Sequence, residues 1–217
     1  MILFDLDGTL VDSVPDLSWC LNQMLEQMGL SQQTEARVRL WVGNGVKKLV
    51  SRALSHATGI TPEPERLDQA LSLFDSLYIE NYHRQSTVYP GITEFFKFLK
   101  TTDIKTGCVT NKAERFALPL LKALNMDISF ETVICGDTVA RMKPDPLPLL
   151  TAAKILSILP EHSLMIGDSV SDVKAARSAG FNIVCTSYGY NHGKDINLAQ
   201  PDAVIDSLIE LKHIIRW

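Results

Sequence analysis

Cysteine is scarce and dispersed in this chain. The four in 217 residues, Cys20, Cys108, Cys135 and Cys185, form no CxxC pair. Three of them sit in or beside apolar runs, so they read as small buried hydrophobes and not as zinc ligands or a disulfide framework. Long apolar runs are missing too: none approaches the roughly 20 residues of a membrane span. The chain opens directly on Met1-Ile2-Leu3-Phe4-Asp5, without a basic region followed by a long apolar stretch, and the expected setting is reduced and cytoplasmic, with no membrane partner. Positive charge is in deficit, 21 Lys and Arg against 25 Asp and Glu, for a net charge of −4. That balance gives no electrostatic reason to expect a nucleic-acid partner. A small anion is still open as a ligand, because a metal or a few local cations can dominate a pocket whatever the net charge.

What is there is an ordinary globular composition, 46% hydrophobic and 21% charged, long enough for one large domain or a core with a smaller insert. Two textures alternate along it. Short β-rich runs occupy 2–6, 105–110, 132–135, 163–167, 183–186 and 203–205. Several are apolar on successive residues, as expected of strands buried on both faces of a parallel sheet. Between them, helical periodicity covers 92–100, 114–124, 146–156, 172–179 and 208–215. This alternation predicts an α/β fold, a Rossmann-like doubly wound parallel sheet with helices on both sides. Residues 13–85 break the pattern. They contain no convincing strand but three helical stripes: Leu17, Leu21, Met24, Leu25 and Met28; Val46, Leu49, Val50, Ala53 and Leu54; and Leu67, Leu71, Phe74, Leu77 and Tyr78. An all-helical insert at 13–85, inside a core of 1–12 and 86–217, accounts for both textures.

Four short segments lie where strands should end, the place where α/β sheets keep their ligand sites. In Asp5-Leu6-Asp7-Gly8-Thr9 two carboxylates stand close enough to repel unless a cation or a shared proton relieves them, and Gly8 permits a sharp turn. Val109-Thr110-Asn111 offers a hydroxyl and an amide. Met142-Lys143-Pro144 offers a cation beside a residue of fixed φ. Gly167-Asp168-Ser169-Val170-Ser171-Asp172 supplies two further carboxylates. Singly, Thr110 reads as a helix cap, Lys143 as a solvated side chain and Asp172 as an N-cap. Their occurrence together, in this order and each after an apolar strand, points to a site.

These four segments resemble the motifs of the haloacid dehalogenase superfamily, over the full chain, with 13–85 similar to its cap domain. The resemblance implies a Mg²⁺-dependent phosphatase. Asp5 would be the nucleophile that forms an aspartyl-phosphate, and Asp7 the general acid and then base. Thr110 and Lys143 would hold the phosphoryl oxygens, with Gly8 and Asn111 beside them. The metal would take Asp5, the Asp7 carbonyl and Asp168, with Asp172 positioning its waters or Lys143. An acid at Asp7 separates phosphoryl-transfer members from those acting on carbon–halogen bonds.

Within the superfamily the segments 5–13, 41–45, 89–91, 109–112, 143–146 and 189–193 are similar to the bacterial phosphoglycolate phosphatases. That similarity implies a small phosphomonoester substrate, 2-phosphoglycolate, and a monomer or homodimer. The loop Gly43-Asn44-Gly45 would read the leaving group through backbone N–H groups, or would be a plain helix–helix turn. Arg39 and Lys47 flank it as alternative contacts for a carboxylate. The other expectations are a β-phosphoglucomutase-like isomerase, which needs a cap gripping a second phosphate, and a non-catalytic binding protein. The cap loop is not rich in Arg, which disfavours the first, and a binding role would not need Asp5, Asp7, Thr110, Lys143 and Asp168 all together. Position 145–146 reads Asp-Pro where the family often has His-Pro.

Overall fold

The computed structural model describes residues 1–215. Strands β1 (Ile2–Phe4), β4 (Thr106–Val109), β5 (Thr132–Ile134), β6 (Leu164–Gly167), β7 (Asn182–Thr186) and β8 (Ala203–Ile205) form a six-stranded sheet in the order β5-β4-β1-β6-β7-β8. Every pairing in it is parallel. β1 lies near the centre, with Ile2, Leu3 and Phe4 opposite Thr106, Gly107 and Cys108 on one side and Leu164, Met165 and Ile166 on the other.

Side-chain alternation along β1 explains the two layers of core. Ile2 and Phe4 point to the face covered by α5 (Ile92–Leu99) and α6 (Glu114–Ala123). Leu3 points to the face covered by α7 (Leu147–Leu156) and α8 (Val170–Ala179). A strand buried on both faces must be apolar throughout, and β1 is. The sheet is therefore covered by helices on both faces, the α/β architecture its alternating runs predict. All four cysteines are buried and free, three of them in these layers. None of the helices described is long and apolar enough to cross a membrane.

Helices α1 (Val14–Gln27), α2 (Glu35–Arg39), α3 (Val46–Thr58) and α4 (Pro64–Asn81) follow β1 and bury their own apolar cluster, which includes Leu21, Met24, Leu54, Phe74 and Tyr78. Met24 and Met28 belong to this packing, as the periodicity predicts. The cluster reaches Phe116 of α6 and Tyr190 of the sheet layer, so the helices rest on the mouth of the sheet. A two-stranded antiparallel ribbon, β2 (Val11–Asp12) with β3 (Thr87–Val88), joins the chain leaving for the helices to the chain returning. Two-residue strands leave no periodic trace, and the sequence reading missed them. Beside the ribbon the buried Asp16 carboxylate accepts from the Gln85 N–H at 2.9 Å, the Ser86 N–H at 2.8 Å and the Ser86 hydroxyl at 2.7 Å.

Other boundaries also shift. β1 ends at Phe4, not at residue 6, because the backbone turns at Asp5–Gly8. The helix expected at 172–179 begins at Val170; Ser169 is its N-cap, and Asp172 is the third helical residue of a capping box. The expected helix at 208–215 is a 3₁₀ turn, Leu208–Glu210, followed by α9 (Leu211–Ile214).

Phe4 is fully buried, with its ring centroid 5.1 Å from that of Phe96 and 6.2 Å from that of Phe130. Phe4→Ala should destabilise by about 3–5 kcal/mol, read as a lower urea midpoint with an unchanged m-value.

Candidate active site

The carboxyl ends of β1, β4 and β6 converge on one corner of the sheet, under the helical layer. Asp5 follows β1 directly. Its N–H donates to the Ile166 carbonyl at 2.9 Å, the last rung holding the segment to β6. The Asp5 Oδ1 accepts from the Leu6 N–H at 2.8 Å and meets the Lys143 Nζ at 2.9 Å. After this the chain reverses at Gly8, whose φ of +89° favours glycine. A Cβ there would lie 2.4 Å from an Asp168 oxygen. Gly8 is thus both the turn and the gap into which Asp168 fits.

Lys143 is the electrostatic centre. Its ammonium, 2% exposed, donates to the Val109 carbonyl at 2.7 Å and Asp172 Oδ1 at 2.7 Å, besides its contact with Asp5. Asp172 is buried as deeply, and its other oxygen accepts from the Ser169 hydroxyl at 2.7 Å and the Ser169 N–H at 3.1 Å. Both Asp172 oxygens therefore have partners within the protein. Asp168 accepts from the Thr9 hydroxyl at 2.8 Å and the Tyr190 N–H at 2.7 Å.

Asp5, Asp168 and Asp172 each bring a carboxylate oxygen into a group spanning 4.8 Å. Two buried carboxylates and the half-buried Asp5 stand around one ammonium there, which contacts Asp5 and Asp172, leaving an excess of acidic groups. Burial raises the Asp5 carboxyl to about 7, with Asp172 adding to the shift and Lys143 opposing it. Burial also holds Asp168 well above its ordinary value, reinforced by Asp172 and Asp5. For Lys143 burial acts to lower the pKa, but Asp172 and Asp5 outweigh it and keep the ammonium charged. Hard oxygen donors with uncompensated negative charge are the donor set for a small divalent cation.

Asp7 is not in that group. It turns the other way, accepting from the Ser13 hydroxyl at 2.6 Å and from Lys112 Nζ at 3.2 and 3.1 Å. The two carboxylates of Asp5-Leu6-Asp7 thus face different cations, one at the acidic cluster and one at the helical layer. Lys112 also donates to the Tyr78 hydroxyl at 2.8 Å, and Asp7 and Tyr78 keep it charged against the opposing effect of burial. Sequence reasoning did not single out Lys112, Ser13 or Tyr78. Lys112 stood in the quoted 109–112 segment, but a lone lysine after a strand reads as solvated until the helices cover it.

A cavity of about 50 Å³ lies between this corner and the helices, lined by Asp5, Asp7, Thr110, Asn111, Lys112, Gly43 and Gly45 among others. Thr110 faces it from the end of β4. Asn111 Nδ2 donates to the Lys143 carbonyl at 3.0 Å and the Gly43 carbonyl at 3.3 Å, while its buried Oδ1 has no partner among the described residues. Gly43 and Gly45 take φ values of +120° and +79° and bring bare backbone to the cavity. Asn44 between them turns away, its Oδ1 accepting from Arg52 at 2.7 Å. Arg39 is engaged by both Asp12 oxygens at 3.1 Å and by Glu35 at 3.2 Å. Lys47 is exposed. His192 binds the Leu40 carbonyl through Nδ1 at 2.9 Å, a loop-to-cap contact. Trp41 packs beside His56 within the helical layer.

The raised Asp5 carboxyl sets a pH dependence. With a folded pKa of about 7 against an ordinary value of 3.8, the folded state keeps a proton that the unfolded chain releases. Its contribution to stability therefore falls as pH rises between about 4 and 7. Urea midpoints in chelator at pH 5 and pH 8 should drop more for the native protein than for Asp5→Asn; equal drops would refute the assignment.

The comparisons with known proteins agree with this geometry. A profile of the haloacid dehalogenase-like hydrolases matches residues 2–186. A phosphoglycolate phosphatase of Nitrosococcus oceani is 54% identical over 215 residues, 99% of this chain and 96% of that one. One of Nitrosospira multiformis is 38% identical over 99% of this chain and 95% of its own. The crystal structure of a predicted phosphoglycolate phosphatase from Haemophilus somnus superposes with a TM-score of 0.95 at 33% identity, covering 100% of this chain and 97% of that one. With the four motifs assembled at one corner of a parallel sheet, the chain belongs to the haloacid dehalogenase-like hydrolases.

Proposed function

We propose that this hydrolase removes phosphate from a small phosphomonoester, 2-phosphoglycolate, to give glycolate. The observation that carries the reading is the confluence of Asp5, Asp7, Thr110 and Lys112 on one cavity of about 50 Å³. At roughly 10–15 Å³ per enclosed water, that space suits a leaving group of a few atoms.

Asp5 is the nucleophile, its carboxylate attacking phosphorus to form an aspartyl-phosphate while the P–O bond to the leaving group breaks. Asp7 protonates the departing oxygen and then takes a proton from the water that hydrolyses the intermediate. Its partners, Ser13 and Lys112, hold the carboxylate in one orientation through both half-reactions. Lys143, locked between Asp172 and the Val109 carbonyl, presents fixed positive charge to the phosphoryl oxygens without reorganising. Thr110 and Asn111 border the same space, with Gly8 forming the turn.

The buried acidic group fits Mg²⁺, which Asp5, the Asp7 carbonyl and Asp168 would hold. Mg²⁺ would there neutralise phosphoryl charge and orient the substrate. Asp172 accepts from the Lys143 ammonium at 2.7 Å, and its part is to fix Lys143. Residues 13–85 act as the cap that shields the reaction from bulk water, on a core of 1–12 and 86–217. The phosphosugar isomerase reading needs a second phosphate grip. Among the described residues Lys112 is the one cation lining the cavity, which argues against that.

With Mg²⁺, phosphate release from 2-phosphoglycolate should far exceed that from glucose 6-phosphate, pyrophosphate or nucleotides, and chelator should abolish it. A different preferred substrate would overturn the substrate assignment alone. Asp5→Asn should lower kcat by roughly 10⁴-fold or more with an unchanged circular dichroism spectrum; retained turnover would overturn the mechanism. Lys143→Met should cost about 10²–10³-fold in kcat.

A further inference from the structure

Lys112 sits where neither the phosphoryl group nor a metal needs it. Its side chain is 5% exposed and lies on the α4 side of the cavity, joined to Tyr78 of that helix. Burying an ammonium is costly unless it is paired, and one carboxylate, Asp7, neutralises it here. An ammonium has three donor hydrogens and no acceptor. Asp7 meets Lys112 side-on, at 3.2 and 3.1 Å, and the Tyr78 hydroxyl accepts at 2.8 Å. Each hydrogen of this cavity-lining residue thus faces an acceptor, but two of the three acceptors belong to one carboxylate, so Asp7 keeps its ion pair through one oxygen when a second carboxylate takes the other hydrogen.

The other polar groups there are poor receptors for an anion. Asp5 and Asp7 repel one. Both Asn111 Nδ2 bonds go to backbone carbonyls, and its unpartnered atom is an acceptor. Arg39 is taken by Asp12 and Glu35, Arg52 by Asn44 and the Trp41 carbonyl, and Lys47 lies outside the lining. Besides the Thr110 and Tyr78 hydroxyls and the Gly43 and Gly45 backbone, which carry no charge, the remaining walls are apolar, among them Leu17, Val42, Val46, Leu49 and Phe116. A cation set among apolar walls beside the acid/base residue is a receptor for a compact carboxylate attached close to the reacting oxygen.

We infer that Lys112 reads the leaving group: it binds the carboxylate of an α-hydroxy-acid phosphate and so selects acidic two-carbon phosphomonoesters over neutral ones. This rests on the phosphatase reading above. It moves specificity from the backbone N–H groups of the Gly43–Gly45 loop, and from the flanking Arg39 and Lys47, to a core lysine seated by Tyr78 of α4. One ammonium then serves two carboxylates, that of Asp7 and that of the substrate, which ties substrate recognition to the orientation of the acid/base.

The test compares kcat/KM for 2-phosphoglycolate and 2-hydroxyethyl phosphate, which carries a hydroxymethyl group in place of the carboxylate. The native enzyme should prefer the acid, and Lys112→Met should reduce that preference by roughly 10- to 100-fold, the loss of a charge-assisted hydrogen bond. A lysine that only orients Asp7 would lower both substrates alike and leave the ratio unchanged; that result overturns the inference while the phosphatase reading stands. A native enzyme that ignores the carboxylate would overturn both the inference and the substrate assignment. Should Lys112→Met fail to fold, a crystal structure of Asp5→Asn with 2-phosphoglycolate decides the matter. A substrate carboxylate oxygen within hydrogen-bond distance of Lys112 Nζ is expected, and a carboxylate placed elsewhere overturns the inference.

Discussion

The Lys143 ammonium is the interaction on which the rest of this site depends. Asp5, Asp168 and Asp172 are crowded within a few ångströms, the last two shielded from water and Asp5 half-buried. Such a group is stable only if cations or protons relieve it. Lys143 contacts two of the three directly and is itself tethered to the β4 carbonyl of Val109. Removing it would leave buried charges uncompensated, so its structural and chemical roles cannot be separated. The cluster nevertheless remains short of positive charge: burial raises the carboxyls of Asp5 and Asp168, and the neighbouring carboxylates add to both shifts. A divalent cation is what such a deficit attracts.

The fold makes this crowding possible by bringing strand ends together. Three parallel strands, β4, β1 and β6, lie side by side, so the loops at their carboxyl ends share one corner although they come from residues near 5, 110 and 168. Glycines without Cβ atoms let the loops close on each other. Gly8 and Gly189 both abut the Asp168 side chain, and Gly167 abuts Asp172. The site is thus held by backbone as much as by charge.

A second cation, Lys112, organises the opposite side. It joins Asp7 of the core to Tyr78 of the helical layer, and Tyr78 stacks edge-on against Phe116 at 4.9 Å between ring centroids. The helical layer and the acid/base residue are therefore mechanically connected. The Asp16 carboxylate, binding the returning chain at Gln85 and Ser86, fixes where that layer is hinged. Chemistry and its cover thus meet at ion-based contacts, with those of Lys112 and Asp16 buried.

Much was legible in the amino-acid order. Runs of successive apolar residues marked strands buried on both faces, since only a parallel sheet covered by helices leaves no polar side. Asp5, Asp7, Thr110, Lys143 and Asp168 were legible because each follows such a run, and strand ends in this architecture converge. Three things were not legible. The ribbon Val11–Asp12 with Thr87–Val88 is too short to carry a period. Asp172 by itself reads as a helix cap; that it positions Lys143 was implied by the family resemblance alone, and it depends on residue 143 arriving in the loop after β5. Lys112 drew no role of its own because nothing local says that Tyr78, 34 residues earlier, will cover it. Local order determined which groups stand at the sheet's edge, through strand periodicity. Tertiary structure alone decided which charges face one another, because pairing and desolvation arise only between segments distant in the chain.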